Sequence, residues 1–239
     1  MTLNHADTWR DGTEVVVTGD GSRTLRPRGG EGYKSLAGAL TEARHVYLEG
    51  SGVGARLRAG APTRVIEIGF GTGLLFLVTA ALAAESGAEL SYLGVELQLP
   101  PAPMLEALGY AELLAPSPLP ALLTSWRASL GAAPPLGEYT LQAGRTRLTL
   151  QVADARTAPL EPGAHALYHD AFSPRTNPAL WQAPYLARLA ALLEPAGSLV
   201  SFSVAGPVRR ALIAAGLEVR KLPGPPGGKR EVLVARRPA

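Results

Sequence analysis

The stretch that decides the fold is "RVIEIGFGTGLLFL", residues 64 to 77: an apolar β-branched run, three glycines at 69, 71 and 73, then an apolar run with helical character. A strand entering a glycine turn that opens a helix is a loop built for close approach to a ligand. The third glycine stands at the fifth position of the motif. A dinucleotide fingerprint asks for it at the sixth, where Leu74 stands, and a phosphate-cradling loop would end in Gly-Lys-Ser or Gly-Lys-Thr. Glu67, just ahead of the glycines, would repel a phosphate and suits a cationic amino acid moiety better.

Outward from that loop the chain alternates strands and helices, the signature of a mostly parallel sheet covered on both faces. Strands are expected at 64–69, 90–96, 147–154, 165–170, 197–204, 217–222 and 229–236. Helices are expected at 72–85, 103–114, 119–130, 179–193 and 207–215. "GEYTLQAGRTRLTLQV" forms a hairpin about Ala143-Gly144 and inserts one more strand, and "PGPPGGKRE" permits antiparallel pairing of the last two. The fold class is therefore α/β, a seven-stranded, mostly parallel, doubly wound sheet. Ahead of it, 13–28 reads as a hairpin around Gly-Asp-Gly-Ser, 35–50 as a helix and "GSGVGARLRAGAPT" as a glycine-marked connection. This divides the chain into a small β-hairpin and helix appendage at 1–60 and a Rossmann-like domain at 61–239.

The 239 residues suffice for one sizeable core, and the absence of cysteine removes disulfides, thiolate metal sites and cysteine nucleophiles. "MTLNHADTWRDGTE" is too polar for a signal peptide and no apolar run is long enough to span a bilayer. The expectation is a cytoplasmic protein with no membrane partner and no metal. Net charge is +3, with arginines clustered in "RTLRPR", "VRR" and "GKREVLVARRP". Guanidinium forks suit phosphate, although a composition rich in Ala, Arg, Gly and Pro also follows from GC-rich coding.

The strand, Glu67 and the three glycines together resemble motif I of class I S-adenosylmethionine-dependent methyltransferases. Two further acids end candidate strands on the same sheet edge: Glu96 in "YLGVE", where such folds place a carboxylate against ribose hydroxyls, and Asp154 in "VADART", placed to meet an adenine amino group. Tyr33, with Lys34 beside it, lies ahead of the first helix and is placed to line the cofactor entrance.

"HVYLEGSG", "RVIEIGFGTGLLFL", "GVE", "ADA", "HDAFSPRTNPALW" and "GGKREVLV", in this order, resemble the methyltransferase domain of the MnmC family over about residues 10–236. The resemblance implies methyl transfer from S-adenosylmethionine to the primary amine of 5-aminomethyl-2-thiouridine at the tRNA wobble position. It also implies a flavin oxidase domain following the methyltransferase. This chain ends at Ala239, so a stand-alone type is expected, with a separate enzyme installing the aminomethyl group. Two departures stand out: "ELQLPP" replaces a Glu-Lys-x-Pro-Leu stretch and removes the basic residue beside the ribose acid, and Ala43 replaces a more usual serine.

The chemistry needs an amine lone pair aligned behind a methyl carbon, so alignment and an acid beside the amine carry most of it. Asp170 ends an apolar strand at the cofactor edge and is expected to bind or deprotonate the amine, with capping of its own turn as the alternative. Phe172 and Pro174 would wall the pocket and stack on a base, and Asn177 follows them. His169 points away from Asp170 by strand alternation, and Trp181 reads as helix core. Glu49 either holds the amino-terminal segment over the site or pairs with an arginine. Lys229 and Arg230, with Arg23, Arg26 and Arg28, would meet tRNA phosphate or serve as solvated edge charges. Two other readings use the same residues: a small-molecule amine methyltransferase or aminopropyltransferase-like enzyme, and a non-catalytic RNA-binding module.

Overall fold

The hairpin at the start is formed by β1 (Glu14–Val17) and β2 (Arg23–Arg26), paired antiparallel from Glu14 with Arg26 to Val17 with Arg23. The computed structural model describes residues 12–239; the polar stretch read for a signal peptide lies outside the described residues up to residue 11. After the hairpin, α1 (Ala39–Glu42) runs directly into a π-helical stretch, Ala43–Glu49. The segment expected as a plain connection contains a helix, α2 (Val53–Arg58). Its glycines hid it: Gly52, at φ +83°, is the residue that starts the helix, and Val53 and Leu57 are buried beneath it.

The alternating region follows as β3 (Thr63–Ile68), α3 (Leu74–Ser86), β4 (Leu90–Glu96), α4 (Ala102–Ala107), α5 (Tyr110–Leu113), α6 (Leu119–Ser129), β5 (Gly137–Ala143), β6 (Thr146–Val152) and β7 (Ala164–His169). A short 3₁₀ turn at Pro178–Trp181 leads to α7 (Ala183–Ala190), β8 (Leu193–Ser201), α8 (Gly206–Ala214), β9 (Glu218–Pro223) and β10 (Glu231–Arg236). The strands form one sheet in the order β5-β6-β4-β3-β7-β8-β10-β9. From β6 to β8 neighbours are parallel, whereas β5 pairs antiparallel with β6 and β10 pairs antiparallel with both β8 and β9. All seven expected strands are present. The sheet has eight because the inserted strand, β5, pairs along its whole length with β6 and extends the edge.

Strand alternation divides the core into two layers. On one face Val65, Tyr92 and Tyr168 pack under α3 and the π-helical stretch; on the other Ile66, Ile68 and Leu167 pack against Trp181, Leu186 and Leu212. Leu25, Val46, Tyr47 and Leu57 belong to the first cluster, so the expected boundary at residue 60 falls inside one buried core. Among the described residues no helix is long and apolar enough to cross a membrane.

Candidate active site

Crossovers leave β3 toward β4 on one side of the sheet and the chain returns to β7 on the other, so the carboxyl ends of β3 and β7 flank the switch point where open α/β sheets form their clefts. The glycine loop fills that point. Gly69 and Phe70 donate to the Val95 carbonyl at 3.0 and 3.1 Å. Gly69 adopts φ +90°, and a Cβ there would lie 2.8 Å from the Asp170 carbonyl oxygen, so only glycine lets the β3 and β7 ends meet. The Gly71 amide donates to Glu96 Oε2 at 3.0 Å, and the Leu97 and Gln98 amides donate to Oε1 at 2.9 and 3.1 Å. Three backbone donors thus fix the Glu96 carboxylate at the end of β4.

The cleft beside this loop has a volume of about 530 Å³, within the range of small-molecule sites. Of the residues expected in the site, Tyr33, Gly69, Gly71, Glu96 and Asp154 line it. Asp170, Phe172, Asn177 and Lys229 line it as well. Four of those expected to bind cofactor or substrate do not reach it. Glu67 is fully buried on the Val65 face of β3, where its Oε2 accepts the Tyr92 hydroxyl at 2.7 Å; burial pushes its carboxyl well above the usual range. Gly73 packs against Leu123 and Phe70 at the start of α3, its φ of +79° rather than a ligand requiring glycine. Pro174 is half-buried but off the cleft, and Arg230 is exposed outside it.

Lys229 parts from Arg230 by turning inward, with Nζ 4.1 Å from the centre of the Phe202 ring. Burial pulls its ammonium below the usual value against the opposing pull of Glu42, Glu31 and Asp170. Asp154 is clamped by Arg156, whose Nε lies 3.0 and 2.9 Å from the two carboxylate oxygens. Glu49 pairs with Arg58 at 2.5 Å, the simpler of its two expected roles.

Asp170 does not cap its own turn. Lys34 Nζ donates to Oδ2 and the Tyr47 hydroxyl to Oδ1, while the Asp170 amide continues the β3 ladder to the Ile68 carbonyl at 3.0 Å. Burial raises the carboxyl and the Lys34 charge opposes it; two donors aimed at separate oxygens are the surroundings of an ionised carboxylate. Burial would lower the Lys34 ammonium, but Asp170 and Glu67 hold it above its ordinary value, so the pair is charged. His169 faces the opposite layer, its Nε2–H donating to the Leu180 carbonyl at 3.0 Å and its ring 4.2 Å from that of Trp181. Burial drives its pKa down to about 4.

Residues 31–34 form a strap across this edge. The Tyr33 amide donates to the Leu25 carbonyl at 2.9 Å and the Lys34 amide to Thr24 Oγ1 at 3.0 Å, which hangs the strap from β2. On the other side the Glu31 carboxylate accepts the Ser173 amide at 3.0 Å and the Thr176 hydroxyl at 2.8 Å. Tyr33 meets Phe172 edge to face at 5.2 Å. Trp181 Nε1 ties the same block from below through the Phe172 carbonyl at 2.8 Å. Glu31, Tyr47 and Glu42, and the pairing of Lys34 with Asp170, were not identified from the sequence.

Residues 121–238 match a family of S-adenosyl-L-methionine-dependent methyltransferases. The chain is 33% identical over 247 residues to the tRNA 5-methylaminomethyl-2-thiouridine biosynthesis bifunctional protein MnmC of Chromobacterium violaceum, an alignment covering 97% of this chain and 34% of that protein. It is 39% identical over 212 residues to the MnmC of an Azoarcus species, covering 87% of this chain and 33% of that one. The chain spans about a third of the length of these relatives. The crystal structure of MnmC2 from Aquifex aeolicus shares the fold with a TM-score of 0.74 at 24% identity, over 100% of this chain and 81% of that one. A spermidine synthase from Thermotoga maritima shares it with a TM-score of 0.54 at 11% identity, over 94% of this chain and 69% of that one.

Proposed function

The chain belongs to the S-adenosyl-L-methionine-dependent methyltransferases of the MnmC type, and from that premise we propose that it methylates the primary amine of 5-aminomethyl-2-thiouridine at the wobble position of tRNA. The observation that carries the reading is the placement of Asp170: buried, held by Lys34 and Tyr47, and facing the same cleft as the glycine loop and the fixed Glu96. An acid so held receives and orients an amine at the cofactor edge.

The residues present fit S-adenosylmethionine. Glu96 is held by three amides at the end of β4, where its carboxylate would meet the ribose hydroxyls, and Gly69 and Gly71 leave the cleft wall without side chains. Asp154, in the same lining, would meet the adenine. The bound cofactor supplies a methyl group already activated on a sulfonium. What remains for the protein is alignment and exclusion of water. Asp170 accepts a hydrogen bond from the substrate amine, the Tyr33 and Phe172 pair walls the space for a base, and Asn177 and Lys229 border it. A cleft that admits one base while the phosphates stay outside requires the wobble nucleotide to swing out of its stack. The enzyme would work in the cytoplasm on tRNA that already carries the aminomethyl group.

The test is methyl incorporation from labelled S-adenosylmethionine into tRNA bearing 5-aminomethyl-2-thiouridine, beside unmodified tRNA and free polyamines. Incorporation confined to the aminomethylated tRNA is expected. Transfer to a free amine instead would overturn the substrate.

A further inference from the structure

A primary alkylamine arrives mostly as ammonium and has no lone pair for attack until a proton leaves. Asp170 is poorly suited to take it. Protonating Asp170 would occupy one of the two oxygens that Lys34 and the Tyr47 hydroxyl use and remove the charge facing the buried Lys34 ammonium. A second carboxylate faces the same cleft without such ties. Glu42, on α1, is 7% exposed and lines the cleft, and the Ser35 amide donates to its Oε1 at 3.2 Å.

We propose that Glu42 is the catalytic base that takes the substrate's proton, while Asp170 holds the amine in line. This rests on the amine-methylation reading above. The ammonium N–H bond breaks with its electron pair staying on nitrogen, the proton moves to a Glu42 carboxylate oxygen, and the neutral amine becomes the nucleophile. Glu42 afterwards returns the proton to water at the cleft mouth.

The surroundings of Glu42 support the assignment. Glu31 and Lys34 come from the strap, Ser35 directly follows it, Tyr47 comes from the π-helical stretch, Asp170 from the end of β7 and Lys229 from the turn before β10. Burial and the Asp170 charge push the Glu42 carboxyl up, and Lys34 and Lys229 only partly reverse this, leaving it at about 7. A base with that value is half-available at neutral pH and strong enough to accept from an ammonium. Glu42 forms no ion pair among the described residues, so protonating it breaks none.

The experiment compares the wild-type protein with E42Q and E42D, using aminomethylated tRNA and single-turnover rates across pH. The wild-type rate should rise through about pH 7 to a plateau. E42Q should fall roughly a hundredfold and lose that inflection, and E42D should keep an inflection at a reduced rate. Infrared titration of the unloaded protein supplies a readout independent of turnover: a protonated-carboxyl band disappearing near pH 7 in the wild type and missing in E42Q. Retention of the wild-type rate and profile by E42Q, or a band unchanged by the substitution, would overturn the role while leaving the function standing. If E42Q does not fold, E42D with a wild-type rate and inflection overturns it equally. A wild-type enzyme inactive on aminomethylated tRNA would overturn the function and this role together.

Discussion

At the end of β7 the chain turns two adjacent titratable side chains to opposite faces of the sheet, and each makes a separate prediction. Asp170 shares the face of Tyr168 and meets Lys34 and Tyr47. Asp170→Asn preserves shape but removes the charge and points an amide N–H₂ at one of two donors. Turnover should fall a hundredfold or more while cofactor affinity, measured by calorimetry, changes little. His169 is buried among Trp181 and Tyr185 and stays neutral down to about pH 4, whereas in the unfolded chain it takes a proton near 6.5. Its folded pKa is depressed, so the stability it permits is complete above pH 6.5 and is lost as pH falls toward 4, by up to about 3 kcal/mol. Glu42, with its raised value, acts in the opposite sense over much of that window. The check is therefore a comparison of denaturant midpoints from pH 7 to 4 in wild type and His169→Gln, the variant showing the shallower loss.

Between elements, the strap at 31–34 and the block after β7 hold each other. Glu31 satisfies the Ser173 amide and the Thr176 hydroxyl at once, so Glu31→Ala leaves both without that acceptor. Hydrogen exchange at Ser173 should quicken at least tenfold, and KM for tRNA should rise more than kcat falls, because the Tyr33 and Phe172 wall loses its anchor. Equal exchange rates in the two proteins would show that Trp181 alone holds the block. What the sequence disclosed here was local. The β3 strand, the glycine turn and α3 are adjacent in the chain, and their periodicity and turn chemistry declare them. Strand-end acids could be placed because the parallel sheet puts every carboxyl end on one edge. The partners of Asp170 were hidden because Lys34 lies 136 residues away and Tyr47 lies 123 away, and no local pattern marks either. Glu67 was misplaced for a different reason: alternation along β3 sets it with Val65 in the core layer, and its nearness in sequence to the glycines does not change that.

At the scale of the whole molecule, the acids of the cleft lining outnumber its cations. The cleft lining gathers Glu31, Glu42, Glu96, Asp154 and Asp170 with the cations Lys34, Lys229 and Arg156, whereas Arg23, Arg26, Arg28, Arg175 and Arg230 are exposed outside it. An acidic interior welcomes a cationic amine and turns phosphate away, so a polynucleotide must be held from outside while a single base enters. The outer arginines are the groups available for that. If they carry the contact, log affinity for tRNA falls linearly with log salt, by about 0.7 to 0.9 for each phosphate neutralised. Replacing Arg26, Arg28 and Arg230 together by glutamine should flatten the slope by about 2 to 3 and weaken binding of all tRNAs alike, with methyl transfer at saturating tRNA little changed. An unchanged slope would mean that these arginines only solvate the sheet edge and the hairpin. The backbone would then have to be gripped by cations nearer the mouth, of which Lys229 over Phe202 and Arg175 beside the Asp170 block are the first to replace.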